Sequence, residues 1–543
     1  MPKCKQCTTD FPITDADKTF YAKIDVPKPT RCPQCRRVRR LSYRNEITLY
    51  PAICGLCKKS MISMYNPDGS YVVYCQDCWW GDGWDPTASG QTYDPSRSFF
   101  EQFSELMKKV PRISLINKEA DNSEYCNFSW RNKNSYLLFT GGENDDVFYA
   151  NRCWKCRSSI DCSNLYNCEL CYEATDSANC YNCAWLEYST GCSDCWLGYN
   201  LSGCSDCFGC VNLSNQKFHI FNTPVPEAEY RQRIAELKKD LPAAAQLFRA
   251  QKMKGVRKYA NIIKSVNCSG DSIVGSKNCQ SCFRVKDAED CKYVCDTTLI
   301  KDSYDVDNDD HSELLYECIG NESNHNQQFI DICWFDRDIQ YCSLCMSSKN
   351  LFGCVGMKNA EYCILNKKYS AEEYETLRQQ IIVKMKQDGE YGEFFPSKFS
   401  PFGYNETNAS LYYELKKEQA VAAGFTWQDN LPSTTGKETL KELPADISQV
   451  NEGITKEILA CQSCGKNYKF IPQEVKLYKM LGVPLPPQCF RCRHVGRIHR
   501  RNGQTLYSRT CMKDGCKNSF ETPYAPDRKE VVYCEECYQK EIY

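Results

Sequence analysis

The stretch LYNCELCYEATDSANCYNCAWLEYSTGCSDCWLGYNLSGCSDC (165–207) decides the fold of the central part of the chain. Its CxxC pairs, Cys168/Cys171, Cys180/Cys183, Cys192/Cys195 and Cys204/Cys207, recur at a constant step of 12 in the numbering. Between the pairs, polar turns of Asn, Ser, Asp and Gly alternate with one or two aromatic or aliphatic residues, which is typical of short strands and tight turns. A strict short period predicts stacked coils, and therefore a β-solenoid, and leaves open whether one coil takes a single step of 12 or two such steps.

A second, diverged run of cysteines follows between residues 279 and 363. The ends of the two runs correspond, because FGCVNLSNQKFHIFN (208–222) matches FGCVGMKNAEYCILN (352–366), and Tyr230 matches Tyr374, all at an offset of 144. A helix is predicted after each run, over 226–254 with a break at Pro242 and over 370–387. We therefore expect a solenoid in two halves with accessory helices.

The central cysteines have three interpretations. Adjacent coils stack at about 4.8 Å, and the sulfurs of a tetrathiolate lie about 3.8 Å apart, so CxxC pairs on neighbouring coils could share a metal. Alternatively, the cysteines stack as small apolar core residues, or they serve as redox thiols. The candidates for additional metal ligands are Cys168, Cys171, Cys180, Cys183, Cys192, Cys195, Cys204 and Cys207.

The two ends of the chain are copies of one cysteine pattern. The N-terminal set is Cys4, Cys7, Cys32, Cys35, Cys54, Cys57, Cys75 and Cys78, and the C-terminal set is Cys461, Cys464, Cys489, Cys492, Cys511, Cys516, Cys534 and Cys537. The three long gaps in the numbering, from Cys7 to Cys32, from Cys35 to Cys54 and from Cys57 to Cys75, are repeated without change in the C-terminal set. Each set forms two tetrads that complete the tetrahedral shell of Zn²⁺ and leave no position for water. This predicts four structural zinc ions.

A short basic helix is predicted after the first tetrad of each copy. Its candidate nucleic-acid-binding residues are Arg36, Arg37, Arg39, Arg40 and Arg44 in the N-terminal copy, and Arg493, Arg497, Arg500 and Arg501 in the C-terminal copy. Such a density of arginine is suited to phosphate contacts with RNA or DNA. Two alternatives stay open, a solvated face or arginines that neutralise carboxylates and the metal-thiolate charge. Trp79, Trp80 and Trp84 could stack bases or pack around the small zinc core.

Two segments carry a resemblance to a known family. CKQCTTDFPITDADKTFYAKIDVPKPTRCPQCRRVRR (4–40) resembles the probable zinc-ribbon domains of treble-clef type, and CQSCGKNYKFIPQEVKLYKMLGVPLPPQCFRCRHVGR (461–497) resembles a more diverged member. The resemblance implies that the four cysteines of each tetrad bind zinc. The whole chain also resembles uncharacterised Cys-rich proteins of candidate-phyla bacteria, some of which carry a CaiB/BaiF label, although no CoA-binding feature stands out in the sequence.

Composition excludes several classes of protein. Lys and Arg number 68 against 69 Asp and Glu, so any site for a polyanion must be local. No apolar run approaches the ~18 residues of a membrane span. The start has no apolar core of a secretory signal, so we expect a cytoplasmic protein, in which 40 cysteines indicate metal rather than disulfides. The acidic run DVDNDD (305–310) is similar to a calcium loop but lacks its Gly and its Glu. Phosphate-loop and common hydrolase motifs are absent.

The sequence thus predicts a multidomain, mainly β protein with some α structure, with zinc-ribbon or treble-clef modules at both ends that flank a Cys-rich β-solenoid. The expected segments are tandem zinc modules at 1–85, a helical connector at 86–120, the first solenoid half at 121–222, a flanking helix at 223–256, the second half at 257–369, a helix and linker at 370–456, and tandem zinc modules at 457–543. We expect a non-enzymatic scaffold whose zinc modules contact RNA or DNA. The alternatives are protein interaction through the solenoid, and metal buffering or thiol redox work.

Overall fold

The computed structural model describes residues 1–542 as a mainly β structure with helices. The helices are α1 Asp15–Lys23, α2 Pro33–Leu41, α3 Gln76–Trp80, α4 Phe99–Lys109, α5 Glu227–Leu237, α6 Leu241–Lys254, α7 Ala371–Asp388, α8 Asn408–Tyr412, α9 Lys417–Ala422, α10 Pro472–Leu481, α11 Phe490–Arg500 and α12 Glu535–Ile542. The helix predicted over 226–254 is broken by a 3₁₀ turn at Lys238–Asp240, just before Pro242. No helix in residues 1–542 combines the length and the apolar character needed to cross a bilayer.

Most strands belong to two large sheets. The first sheet, here the first stack, contains β5 Asn117–Lys118, β6 Asn127–Trp130, β7 Phe139–Gly142, β8 Asp145–Phe148, β9 Asn151–Trp154, β10 Arg157–Ile160, β11 Ser163–Tyr166, β12 Glu169–Tyr172, β13 Thr175–Ala178, β14 Tyr181–Glu187, β15 Trp196–Tyr199, β16 Ser205–Phe208, β17 Lys217–Ile220 and β18 Thr223–Pro224. The second stack contains β20 Ile262–Ile263, β21 Gly270–Val274, β22 Cys282–Lys286, β23 Cys295–Thr298, β24 Tyr304–Asp310, β25 Glu313–Glu322, β26 His325–Asp331, β27 Arg337–Gln340, β28 Lys349–Phe352, β29 Glu361–Ile364 and β30 Lys367–Lys368.

Short strand pairs accompany the terminal cysteines. They are formed by β1 Tyr50–Ile53, β2 Ser60–Ser63, β3 Val73–Tyr74, β4 Arg112–Ile113, β19 Arg257–Lys258, β31 Leu459–Ala460, β32 Asn467–Tyr468, β33 Tyr507–Thr510, β34 Ser519–Thr522 and β35 Val532–Tyr533. The antiparallel pair β1–β2 has its copy in β33–β34. The parallel pair β3–β4 likewise has its copy in β35–β19. The duplicated cysteine pattern therefore corresponds to a duplicated local structure.

Strands within each stack are mostly parallel and pair at the period seen in the sequence. Ser163 pairs with Thr175 in the first stack, and Arg337 pairs with Lys349 in the second. Both pairs are one step of 12 apart in the numbering, so each backbone segment is hydrogen-bonded to the segment one step further on. The repeat of the strand pairing is therefore one step of 12 in both stacks. The spacing of the CxxC pairs in the sequence equals the step of this pairing register.

A shorter period of three lies inside the period of 12. Along 162–210, every third residue from Cys162 to Cys210 is buried, and most of these residues are Cys, Ser, Ala, Leu or Gly. Another set, also at every third residue, has positive φ, for example Asn164 at 57° and Asn179 at 54°. Asn and Asp tolerate this left-handed conformation better than other residues with a side chain. Many Asn, Asp and Gly residues of the polar turns predicted from the sequence occupy these positions of positive φ.

The chain divides into two compact units, and each is discontinuous in sequence. Unit 1 contains residues 1–114 and 260–431, and unit 2 contains residues 115–259 and 432–543. The N-terminal zinc modules therefore share a unit with the second stack, while the C-terminal zinc modules share a unit with the first stack. The segments that the sequence predicts as a linear series are therefore joined within each unit across long separations in the sequence.

Each unit has its own apolar core beside its stack. In unit 1, the aromatic side chains of α4 are buried, and the Phe99 ring lies 5.5 Å from Tyr341 and 5.2 Å from Phe352. In unit 2, α10 packs on the first stack, with the Tyr478 ring 5.7 Å from Tyr172. The contact of α10 places the first C-terminal zinc module against the first stack, beside the sites described next.

Candidate metal centres

Four groups of four cysteines bring their sulfurs within 4.8 Å of one another. They are Cys4, Cys7, Cys32 and Cys35; Cys54, Cys57, Cys75 and Cys78; Cys461, Cys464, Cys489 and Cys492; and Cys511, Cys516, Cys534 and Cys537. These are the sixteen cysteines that the sequence predicts as zinc ligands. Within residues 1–542, no other group of three or more Cys, His, Asp or Glu residues brings its ligand atoms this close together.

Local backbone structure explains why the tetrads form. Cys32, Cys75 and Cys489 each occupy the N-cap of a helix, where unsatisfied N–H groups favour negative charge on sulfur. Backbone N–H groups also donate to the sulfur of Cys54 (3.3 Å) and of Cys511 (3.3 Å). The hydrogen bond from the Cys35 thiol is the main cause that lowers the pKa of Cys32 to about 5. A thiolate is the ligand form that zinc requires.

The sulfur positions fit zinc. The Sγ–Sγ distance is 3.7 Å for Cys7–Cys32 and 3.8 Å for Cys464–Cys489, and the second tetrads give 3.7 Å and 3.9 Å. A tetrahedral shell with Zn–S bonds of about 2.3 Å requires sulfurs about 3.8 Å apart. All four positions come from the protein, so each site is closed to substrate and water. The chain therefore holds four structural zinc sites.

The predicted N-terminal basic helix is α2, and its arginines are buried. The exposed fraction of the side chain is 2% for Arg36 and 0% for Arg40, and Arg37, Arg39 and Arg44 are also buried. The expected phosphate-contacting surface is therefore not exposed in this structure. Of the alternatives left open by the sequence, the arginines neutralise carboxylates.

The four arginines of α2 form the N-terminal ion-pair cluster, in which α2 lies against β24 and β25 of the second stack, whereas Arg44 pairs with Glu46. Arg36 Nη2 lies 2.7 Å from Asp305 Oδ2, and Arg40 Nη1 lies 2.9 Å from Glu317 Oε2. The remaining members are Arg37, which contacts Asp307, and Arg39, which contacts Glu317 and Glu393. Burial of so many charges is tolerated because nearly every one faces an opposite charge at hydrogen-bond distance.

Unit 2 contains the corresponding C-terminal ion-pair cluster, formed by α11 and the first stack. Arg493 Nε lies 2.9 Å from Asp161 Oδ1, and Arg497 Nη1 lies 3.0 Å from the same atom and 3.1 Å from Glu173. Arg501 pairs with Asp176 at 2.7 Å, and Arg500 contacts Glu173. The Arg500 side chain is 42% exposed, and the other three are buried. The C-terminal arginines thus also neutralise carboxylates of a stack.

Sequence reasoning missed the carboxylates of both clusters. Asp161 and Glu173 correspond to Asp305 and Glu317 at the same offset of 144 that relates the two stacks. All four occupy positions of positive φ. The signal was the acidic run 305–310, which resembled a calcium loop but supplies strand β24 and two arginine partners, Asp305 and Asp307.

The central cysteines lie in the stack interior and make the same kind of hydrogen bonds as the serines beside them. Ser177 Oγ donates to the carbonyl two residues earlier (2.9 Å) and accepts from the N–H of Ser189 (3.1 Å). Cys168 Sγ donates to the equivalent carbonyl (3.4 Å) and accepts from the N–H of Cys180 (3.4 Å). A small side chain that can both donate and accept satisfies the buried backbone. The eight candidate extra ligands are buried in the apolar interior of the first stack and belong to none of the four ligand groups.

The three tryptophans pack within unit 1. Trp79 is fully buried, and its indole N–H donates to Pro111 O (3.1 Å). Lys358 Nζ lies 4.1 Å, 5.4 Å and 5.0 Å from the ring centroids of Trp79, Trp80 and Trp84, and it also donates to Trp79 O. These cation–π contacts tie the second N-terminal tetrad to the second stack. These contacts agree with the packing interpretation of the three rings.

Comparison with known proteins adds one assignment. A family model described as a probable treble clef domain matches residues 2–43. The match covers the first tetrad, α1 and α2, so the treble-clef resemblance of this segment is confirmed. No curated protein matches the chain. The resemblance of the whole chain to Cys-rich bacterial proteins stays a prediction.

Proposed function

We propose that this protein is a zinc-stabilised, non-enzymatic binding scaffold. In this proposal the zinc modules act as joints that hold each discontinuous unit together, and the outer faces of the stacks bind partners. The observation that carries it is the burial of both arginine helices. In each unit, the arginines of the helix beside the first zinc tetrad form ion pairs with carboxylates of a stack. The paired residues lie 269 positions apart for Arg36–Asp305 and 332 positions apart for Arg493–Asp161.

The proposal includes the architecture of the stacks. We propose that each stack is a β-solenoid in which one coil takes one step of the repeat and contributes four interior side chains. Its support is the parallel pairing at a step of 12 and the burial at a step of three. Stacked repeats produce extended, regular surfaces that are suited to protein partners.

Nucleic-acid contact through the zinc modules is the rival function. The arginines that would carry it are occupied, because phosphate could reach Arg36 or Arg40 only after a buried ion pair is broken. Breaking such a pair costs about 3–5 kcal/mol. Metal buffering is disfavoured by the closed shells, since four protein sulfurs from one compact module hold an ion that is also needed for folding.

The test measures binding of fluorescent RNA and DNA by anisotropy between 50 and 200 mM salt, roughly the range over which phosphate contacts lose most of their affinity. We expect no binding with a steep salt dependence. In parallel, tagged protein is purified with and without nuclease, and partners that survive nuclease support the scaffold. Steep salt-dependent binding, or loss of every partner after nuclease treatment, contradicts the proposal.

A further inference from the structure

A polar cleft of about 230 Å³ lies in unit 1, between α7 and the second stack. Its lining residues are Asn326, Gln328, Asp338, Gln340, Asn350, Tyr374, Glu375 and Arg378. Every one of these side chains carries a hydrogen-bonding group. Because the cleft is smaller than the roughly 300–1,000 Å³ typical of sites for drug-sized ligands, only a small molecule fits it.

The lining is an ordered chain of hydrogen bonds. Arg378 Nη2 donates to Gln340 Oε1 (3.0 Å), and Gln340 Nε2 donates to Gln328 Oε1 (2.9 Å). Gln328 Nε2 then donates to Asn326 Oδ1 (2.9 Å), and Asn326 Nδ2 donates to Asp338 Oδ1 (2.6 Å). Gln328 and Gln340 are 3% and 6% exposed. The chain fixes their orientation, so the cleft presents its polar groups in one arrangement.

The same seam in unit 2 is apolar. At the offset of 144, Gln328, Gln340 and Arg378 correspond to Ala184, Trp196 and Ile234, which belong to or pack against the apolar core of unit 2. The framework around them is kept, since Asn182 Nδ2 donates to Asp194 Oδ1 at 2.6 Å, as in the unit 1 pair.

Packing of a helix on a stack therefore does not require the polar lining. Buried amides cost free energy compared with well-packed apolar groups, and the second copy avoids that cost at the same place. The stability of the helix–stack contact therefore does not account for the polar lining of the cleft in unit 1, and ligand binding can.

The chemistry of the cleft selects the class of ligand. Asp338, Glu375 and Arg378 give a net charge of −1, and Arg378 Nη1 is already paired with Glu375 Oε1 at 3.2 Å. No unpaired cation is available for an anionic ligand among these lining residues. Amides and carboxylates together offer donors and acceptors for hydroxyl groups. We infer that this polar cleft binds a neutral polyhydroxylated molecule of monosaccharide size.

The experiment titrates the full-length zinc-loaded protein with glucose, galactose, mannose and N-acetylglucosamine by calorimetry. Phosphate and glutamate are the charged probes. We expect at least one sugar to bind at one site with a dissociation constant on the order of 1 mM or tighter, and no binding of the charged probes. Absence of binding for all four sugars, or binding of a charged probe instead, overturns the inference.

Variants locate the site. The triple variant Q328A/Q340W/R378I copies the residues of unit 2, so it should fold and should lose sugar binding at least tenfold. The milder variant Arg378→Met tests the same point if the triple variant is unstable. Gln380→Ala, exposed on the same helix, is the matched control and should bind as wild type does. Binding that persists in a folded triple variant or is unchanged in Arg378→Met contradicts the inference.

Discussion

The two ion-pair clusters are copies in which two arginines keep the same kind of partner. A third arginine is present in both copies with a different partner, since Arg44 pairs with Glu46 and Arg501 pairs with Asp176. Arg36 and Arg40 of α2 correspond to Arg493 and Arg497 of α11, and each pair faces an Asp and a Glu that are separated by one repeat of a stack. This set of two arginines and two carboxylates is common to both contacts between a zinc module and a stack.

The differences show how a buried charge is kept balanced. His494 replaces Arg37 and Gly496 replaces Arg39, while Ser163 stands where the second stack has Asp307. Arg497 Nε donates to Ser163 Oγ at 3.2 Å. A carboxylate and the arginine facing it have thus changed together, as expected when an unpaired buried charge is costly.

Loss of one zinc ligand is expected to have the largest effect. Cys32→Ser should remove one of the four ions and the support of α2, at a cost on the order of 10 kcal/mol to the folding of unit 1. Cys489→Ser should do the same to unit 2. The measurements are zinc content and thermal unfolding. Cys168→Ser is the matched control, because serine performs the same role elsewhere in the stack; a lower zinc content in that variant would make the stack cysteines ligands.

Removal of a buried arginine should have the next largest effect. Arg40→Ala leaves Asp307 and Glu317 each with one ion-pair partner fewer, at a cost of about 3–5 kcal/mol. Arg500→Ala removes a half-exposed partner of Glu173 and should cost less than about 1 kcal/mol. Urea unfolding monitored separately in the two units measures both. Equal effects of the two variants would contradict the view that burial makes these pairs essential.

The pH dependence of the free energy of unfolding should differ between the two copies because of one carboxyl group, that of Glu474 in unit 2. Burial is the main cause that raises the pKa of Glu474 from 4.5 to about 8, against the attraction of Arg493 and the hydrogen bond from Tyr149. The unfolded chain loses the Glu474 proton at a lower pH than the folded protein does. The free energy of unfolding should therefore fall by a few kcal/mol at most as the pH rises from 5 to about 8. Glu474→Gln should flatten that slope in urea unfolding at the two pH values.

Asp17 is the matched control, since it occupies the corresponding position in unit 1 and pairs with Lys292 at 2.7 Å. Asp17→Asn loses this ion pair, so it should destabilise the protein at both pH values. A slope that Glu474→Gln leaves unchanged would show that this carboxyl is ionised in the folded state.

Substitution at a position of positive φ should have the smallest effect. Asn179 has φ of 54° and accepts a hydrogen bond from Asn167 Nδ2 (2.8 Å). Asn179→Val should destabilise unit 2 by about 1–2 kcal/mol, and Asn179→Gly by less, because glycine adopts this conformation freely. Thermal unfolding of the two variants tests this; a better-tolerated valine would contradict the left-handed turn.

The sequence predicted those parts of the molecule in which residues close in sequence act together. The spacing of Cys4, Cys7, Cys32 and Cys35 is set by one local module, and the short period of the stacks is set by contact between neighbouring segments. Both could therefore be read directly. The helix break before Pro242 was predictable for the same reason.

The sequence did not reveal the partner of each basic helix. Arg36 and Asp305 are 269 residues apart, and nothing in either segment specifies the other. Arginine is also seldom fully buried, so its density in a short helix indicates an exposed surface unless the carboxylate partners are known. The one indication in the sequence was that the arginine helices and the acidic positions are both duplicated, the first at an offset of 457 and the second at an offset of 144.

The exchange of partners between the ends has a consequence during synthesis. Residues 1–114 leave the ribosome long before the second stack exists, so the carboxylates that neutralise α2 arrive only after unit 2 has received its first part. Unit 2 in turn must wait for the last segment of the chain. Neither half can be finished early, and zinc capture by the first tetrads would keep the N-terminal helix formed during this delay, at a time when its positive charge is still open to the surroundings.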